Sequence, residues 1–232
     1  MLHTLGKNLR LKFIIAGTGR CGTVYVAKLL TLLGIPCSHE RIFTNKGLEK
    51  SKNDSNVSVW AGLRTPSKIV AEASYMAVPY LDHPSLKYAT IIHLVRDPIK
   101  VIQSFGNKLQ YFRHQPNAWE QFIYKHMPEL EELETPLLRC CAYVLWWNKK
   151  VEEKDCIRIL LEKDIDKLLH YLKIEASDYP KKIENSFEVW NSTKLNLPPE
   201  EMLTEEKIYS CKFGEEIKNM RKQYGYSGSP ND

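Results

Sequence analysis

"FIIAGTGRCGTVYVAKLL", residues 13–30, is the stretch from which the fold is read. A short apolar run leads directly into Gly17-Thr18-Gly19-Arg20-Cys21-Gly22, a G-x-G-x-x-G pattern. Beyond it, Val26, Leu29, Leu30 and Leu33 recur at helical spacing. Residues 12–17 therefore read as a buried strand, and a helix is expected from Thr23 with Gly34 as its stop. A glycine-rich loop opening a helix presents backbone N–H groups and the positive helix end, which suits an anion.

Three readings of that loop compete. A dinucleotide site needs an acidic residue about twenty positions further on, and Glu40 stands in that region. The residues before it, "GIPCSH", make a poor second strand, however. A nucleoside triphosphate loop needs G-x-x-x-x-G-K-[ST]. Gly17 and Gly22 have that spacing, but Thr23 follows at once and the lysine is missing. The loop carries its cation early instead, at Arg20. The third reading, a tight turn with a surface arginine, leaves the three spaced glycines unexplained.

The whole chain sets broader bounds. At 232 residues it is long enough for one buried core, and a single domain over 1–232 is expected. Hydrophobic residues at 43% and charged residues at 26% fit a globular chain and exclude a disordered or fibrous one. The net charge of +5 fits either a solvated surface or a basic cleft for an anionic ligand. There is no dense Lys/Arg run with interleaved aromatics, so nucleic acid is not an expected partner. The six cysteines form no C-x-x-C pair, so no metal site is expected. Neither a signal peptide nor an apolar run of ~18 residues is present, so no membrane association is expected. A cytoplasmic protein with reduced thiols fits these features. The polar stretch 44–56 reads as a mobile loop.

Further along, "IPCSHE" reads as a short second strand or extended turn, and "KIVAEA" (68–73) as a third strand. "YATIIHLV" (88–95) is the clearest strand, apolar enough to lie mid-sheet. Asp97 then offers an N-cap and Pro98 suits the first helical position. Val101, Ile102, Phe105 and Leu109 would give that helix its buried stripe. A long helix is expected over 137–154, with Trp146 and Trp147 in the core. A strand is expected over 156–164, a helix over 165–174, and a last helix from 214 to Gly225. Strands alternating with helices predict an α/β fold, a mainly parallel sheet flanked by helices.

A second motif narrows the ligand. "HLVRDPIKVIQSFGN" starts at a strand end and runs into a helix. Arg96 sits at the carboxyl end of the strand, where ligands bind in open α/β sheets. Ser104 follows eight residues later. An arginine and a hydroxyl on one anion suggest a second phosphate site.

With both motifs in order, the sequence resembles the sulfotransferases that use 3′-phosphoadenosine 5′-phosphosulfate (PAPS). "GRCGT" matches their first loop, and Arg96 with Ser104 matches their arginine–serine motif. The resemblance covers residues 12–40 and 88–107 and continues weakly over 158–172. It implies a phosphate-loop NTPase-like architecture, PAPS as donor, 3′-phosphoadenosine 5′-phosphate (PAP) as product, and no metal. It further implies that Cys21, Gly22, Thr23 and Val24 cradle the 5′-phosphosulfate, with Arg20 beside the bridging oxygen. Arg96 and Ser104 would hold the 3′-phosphate. Cys21 replaces the more common serine, and the family's glycine-rich C-terminal loop is missing, so that Arg221 and Lys222 are candidates for its contacts.

Glu40, twenty residues after Arg20, is the first candidate for the base that takes the acceptor's proton. Glu72, twenty-four residues before Arg96, and His39 are its rivals. Tyr75, Tyr80 and residues 41–60 are candidates for the acceptor pocket by position alone. The acceptor itself, a small molecule, a saccharide or a peptide tyrosine, is not legible, and neither is the oligomeric state. Two alternatives stand beside the transferase. One is a phosphate-loop small-molecule kinase, with Asp97 as its Mg²⁺-binding acid. The other is a non-catalytic nucleotide-binding protein of the same fold.

Overall fold

The apolar run before the glycine loop forms the middle of a sheet. In the computed structural model, which describes residues 11–44, 47–48, 69–108, 111–112, 116–173 and 198–226, strand β1 spans Phe13–Ala16. Ile14, Ile15 and Ala16 are fully buried, as a central parallel strand requires. Helix α1, Thr23–Leu32, follows. It ends where Gly34 takes a left-handed conformation (φ 84°), with the N–H of Ile35 donating to the Leu30 carbonyl at 2.8 Å. Strand β2, Cys37–His39, is the edge of the sheet, so the unpromising "IPCSHE" does supply a strand. A small hairpin, β3 (Phe43–Thr44) and β4 (Gly47–Leu48), comes next. The rest of the 44–56 stretch lies outside the described residues.

Strand β5, Ala71–Ala73, is shorter than the expected 68–73, and Lys68 lies outside the described residues. Strand β6, Thr90–Val95, and strand β7, Cys156–Leu160, complete the sheet. The order is β2-β5-β1-β6-β7 and every pairing is parallel. The expected strand over 156–164 is corrected at its end. After Leu160 the chain turns, with the Asp164 N–H donating back to the Leu160 carbonyl at 2.8 Å. The Gly17 correction is similar: β1 ends at Ala16, and Gly17 already belongs to the loop.

Contacts divide the chain into two compact units, Met1–Val95 with Lys150–Trp190, and Arg96–Lys149 with Asn191–Asp232. The first unit holds the sheet. Its α1 and helix α2, Ile165–Tyr171, cover one face, where Val26, Ala27, Leu30, Leu168 and Leu172 pack with Ile15, Ala73, Ile92, Leu94 and Ile159. Each fully buried aliphatic chain contributes about 1.5–3 kcal/mol. Leu29 and Leu169 join the two helices directly.

The second unit is helical. It begins with helix α3, Pro98–Gln103. Asp97 caps it as expected, accepting from the Ile99 N–H at 3.0 Å, and Pro98 takes the first position. After Gln103 the helix widens into a π turn over Ser104–Lys108, and Leu109 lies outside the described residues. Helix α4, Ala118–His126, was not foreseen. Its signal is a capping box: Asn117 accepts from the Trp119 and Glu120 N–H groups, and Glu120 accepts from the Asn117 N–H at 3.0 Å. Helix α5, Pro136–Glu152, carries Trp147, fully buried, and Trp146, half-buried against Phe213. Phe105, Trp119, Tyr143 and Trp147 form a continuous aromatic core with ring centroids 4.8–5.3 Å apart. Helices α6, Glu205–Ser210, and α7, Gly214–Gln223, close the unit. Gly225 (φ 71°) ends α7 as expected.

Candidate active site

The strand order reverses around β1, since β2 and β5 lie on one side of it and β6 and β7 on the other. In open α/β sheets ligands bind beyond the carboxyl ends of strands at such a switch point. Residues 17–22 fill that position. Gly17 is required there, because a Cβ would collide with the Leu94 carbonyl oxygen of β6. Gly22 stands at the N-cap of α1 with φ 98°, where a Cβ would also meet Leu161 Cδ2 at 2.6 Å. No side chain caps α1, and its first turn carries no acidic residue. The helix start is thus left to backbone N–H groups and its positive dipole end. Thr18 and Cys21 are buried beneath the loop, and Arg20 and Val24 are half-buried.

Two side chains meet α1 from the end of β2. His39 Nε2 lies 3.1 Å from Thr23 Oγ1 and 3.4 Å from Glu40 Oε1. Burial pushes the His39 pKa down to about 4, so the imidazole is neutral near pH 7 and its contact with Glu40 is no ion pair. Glu40 keeps 32% of its side chain accessible. Its surroundings nevertheless push its pKa up to about 7. Arg20 and Glu40 share a further property: both are non-glycine residues with left-handed backbones, φ 67° and φ 52°. Such conformations are disfavoured for a residue with a Cβ and concentrate at functional sites.

Glu72 is placed very differently. It is fully buried in β5, where Ser38 Oγ donates to its Oε2 and the N–H groups of Arg41 and Ile42 donate to its Oε1 at 2.8 and 3.2 Å. Burial outweighs those donors and pushes its pKa up to about 7. Both of its oxygens accept from protein donors, and these hold the turn after β2 on which Glu40 stands. Glu72 therefore acts in the structure as a clamp.

Arg96 follows Val95, the last residue of β6, and is half-buried. Ser104 is buried at the junction of α3 with the π turn. Tyr75 is buried in the 3₁₀ segment Tyr75–Tyr80 after β5, and Tyr80 stacks on Phe43 at 6.2 Å. Arg221 is engaged elsewhere. It bonds Asp97 Oδ2 at 3.2 Å, Glu205 Oε1 at 2.6 Å and Tyr209 Oη at 2.8 Å. The same network occupies Asp97, whose carboxylate already caps α3, so the expected Mg²⁺ acid of a kinase is committed to structure. Among the described residues no cluster of His, Cys, Asp or Glu could hold a metal ion, and no helix is long and apolar enough to cross a membrane.

No family model and no curated protein matches the chain. Among solved structures it is similar to a sulfotransferase from Alicyclobacillus acidocaldarius, with 15% identity over 93% of this chain and 96% of that one, at a TM-score of 0.44. A likeness of that size leaves function to be argued from the chain's own residues.

Proposed function

We propose that the chain is a PAPS-dependent sulfotransferase acting on a hydroxyl or amine acceptor. The observation that carries the reading is the uncapped start of α1, opened by Gly22 in a left-handed backbone, with the left-handed residues Arg20 in the loop before it and Glu40 directly after β2. The loop fits an anionic ligand because the first turn of α1 has no side-chain cap and no acidic residue. The 5′-phosphosulfate would lie on residues 21–24, with the Thr23 hydroxyl contributing a bond. Arg96 and Ser104 would hold the 3′-phosphate, an assignment that rests on the spacing of the sequence motif.

The reaction asks for in-line positioning and charge stabilisation more than for covalent chemistry, as phosphoryl transfer does. The Glu40 carboxylate takes the acceptor proton as the acceptor oxygen or nitrogen bonds to sulfur. The sulfur–oxygen bond to the phosphate breaks, and Arg20 stabilises the charge that grows on that oxygen. PAP leaves. A small molecule or a saccharide is the acceptor class this reading favours, and the cytoplasm suits the six unbridged cysteines.

Calorimetric titration with PAP and AMP tests the proposal. PAP is expected to bind more tightly, because only PAP offers a 3′-phosphate to Arg96 and Ser104. A hydrogen bond to a charged group contributes ~1.5–3 kcal/mol, or roughly 10- to 150-fold in affinity. Arg96→Ala should erase most of that preference. Equal affinity for the two nucleotides would overturn the assignment. Turnover with ATP that disappears in EDTA and returns with Mg²⁺ would count for the kinase reading instead.

A further inference from the structure

One pair of side chains with latent chemistry plays no part in the proposed reaction. Cys141 lies fully buried on α5, and Cys211 is the half-exposed residue that ends α6. Seventy positions apart in sequence, their Sγ atoms are 3.9 Å apart and share a hydrogen bond. Both belong to the helical unit.

The surroundings divide the labour between the two thiols. Cys211 stands in extended backbone (φ −81°, ψ 170°) at the corner between α6 and α7, outside either helix. Its pKa is pushed down to about 6, chiefly by the hydrogen bond with Cys141 and against the effect of burial. That of Cys141 is raised by the same bond and by burial. Cys211 is therefore the sulfur an oxidant can reach, and its thiolate is the reactive form, while Cys141 is sheltered. A disulfide needs sulfurs about 2.05 Å apart, so the gap to close is under ~2 Å. Cys211 lies outside the helical backbone, so the approach comes from its side of the pair. The corner itself is tight: the Gly214 N–H donates to the Cys211 carbonyl at 2.9 Å, and a Cβ on Gly214 would collide with the Tyr209 carbonyl.

We propose that Cys211 and Cys141 form an oxidant-sensitive site, at which a hydroperoxide converts the thiol pair to a reversible disulfide joining α5 to the α6–α7 corner. The Cys211 thiolate attacks one peroxide oxygen, the O–O bond breaks, and a sulfenic acid forms while hydroxide or alkoxide leaves and takes up a proton. The Cys141 sulfur then attacks the Cys211 sulfur, and the S–OH oxygen departs with the Cys141 proton as water. Two thiols lose two electrons and two protons, and one peroxide is reduced. The corner so tied leads into α7, whose Arg221 holds Asp97, the residue after Arg96. The redox state of the pair therefore bears on the same helical unit that carries the second motif.

The test is peroxide titration of the full chain at neutral pH, with free thiols counted after denaturation and the cross-linked peptide mapped without reduction. The parent is expected to fall from six free thiols to four, to yield a peptide joining residues 141 and 211, and to recover all thiols with dithiothreitol. Cys211→Ser, at a half-exposed position, should keep its remaining thiols under the same treatment. Cys141→Ala should instead accumulate a dimedone-reactive sulfenic acid at Cys211, because the resolving sulfur is gone. The proposal is overturned if Cys211 passes to sulfinic acid in the parent without cross-linking, if the bridge forms between other cysteines, or if Cys156, the other half-exposed thiol, oxidises first.

Discussion

The Thr23 hydroxyl lies 3.1 Å from Nε2 of a neutral His39, so the first residue of α1 is tied to the end of the edge strand β2. One nitrogen serves both Thr23 and Glu40. If Nε2 carries the proton it donates to Thr23, and the threonine hydrogen is left to point at a ligand oxygen. If it does not, Thr23 spends its hydrogen on the imidazole.

His39→Ala should therefore weaken PAP binding by about one neutral hydrogen bond, ~0.5–1.5 kcal/mol or roughly 2- to 10-fold. His39→Asn, which keeps a donor, should recover part of the loss. Calorimetry on the three proteins decides it. Unchanged affinity in His39→Ala would mean that Thr23 needs no support to meet the nucleotide.

Gly17 predicts an effect on stability rather than chemistry. The Leu94 carbonyl oxygen that a new Cβ would strike is backbone of β6, where Leu94 pairs with Ile159 of β7 and cannot move aside. Gly17→Ala should destabilise by ~1–3 kcal/mol. Gly34→Ala faces open space and is penalised only by its left-handed backbone, so it should cost less. Urea denaturation of both variants provides the comparison, and equal costs would show that the approach of the loop to β6 is not confining.

Much of this was legible in the sequence because it is local. Residues 12–34 carry a strand, a loop and a helix whose signals lie within a few positions of one another. Asp97 and Pro98 announced the start of α3 in the same way. The capping box of Asn117 and Glu120 is equally local, and it marks the start of α4 in the sequence itself. What could not be read is distant pairing. Glu72 appeared as a rival base because nothing near it in sequence discloses Ser38, thirty-four residues earlier, or the Arg41 and Ile42 N–H groups. Arg221 looked available for the same reason, its partner Asp97 being 124 residues away. The edge strand β2 is three residues long and takes its conformation from pairing with β5, not from propensity.

Glu72 itself makes a prediction contrary to the usual expectation for a buried carboxylate with three donors. Its pKa in the fold is raised to about 7, above the ordinary value of 4.5. The folded state therefore holds the proton more tightly than the unfolded chain. That contribution is fully present below about pH 4.5 and is lost as pH rises through about 7. Glu72→Gln mimics the protonated form, with its oxygen for the Arg41 and Ile42 N–H groups and its amide for Ser38. The variant should match the parent near pH 5 and be the more stable protein near pH 8, by at most about 3 kcal/mol. Melting curves at the two pH values check it. A variant that is equally destabilised at both would show that Glu72 is ionised in the fold.

Arg20 and Glu40 are expected to act at opposite ends of the transferred group, and the two roles separate in measurement. Arg20→Ala removes a cation from the place where negative charge grows, so kcat should fall by ~10²-fold or more. Glu40→Gln keeps the size of the side chain and removes the base, so turnover should collapse while PAP affinity stays near that of the parent. The pKa of Glu40 adds a signature. Pushed up to about 7, the carboxyl is protonated and idle below that pH and becomes a competent base above it. In the parent, kcat should rise through about pH 7 and level off, and that limb should be absent from whatever activity Glu40→Gln retains. If the variant keeps both its turnover and the limb, the proton goes to another group with a pKa near 7; Glu72, raised to about 7, meets that condition, whereas His39, pushed down to about 4, does not.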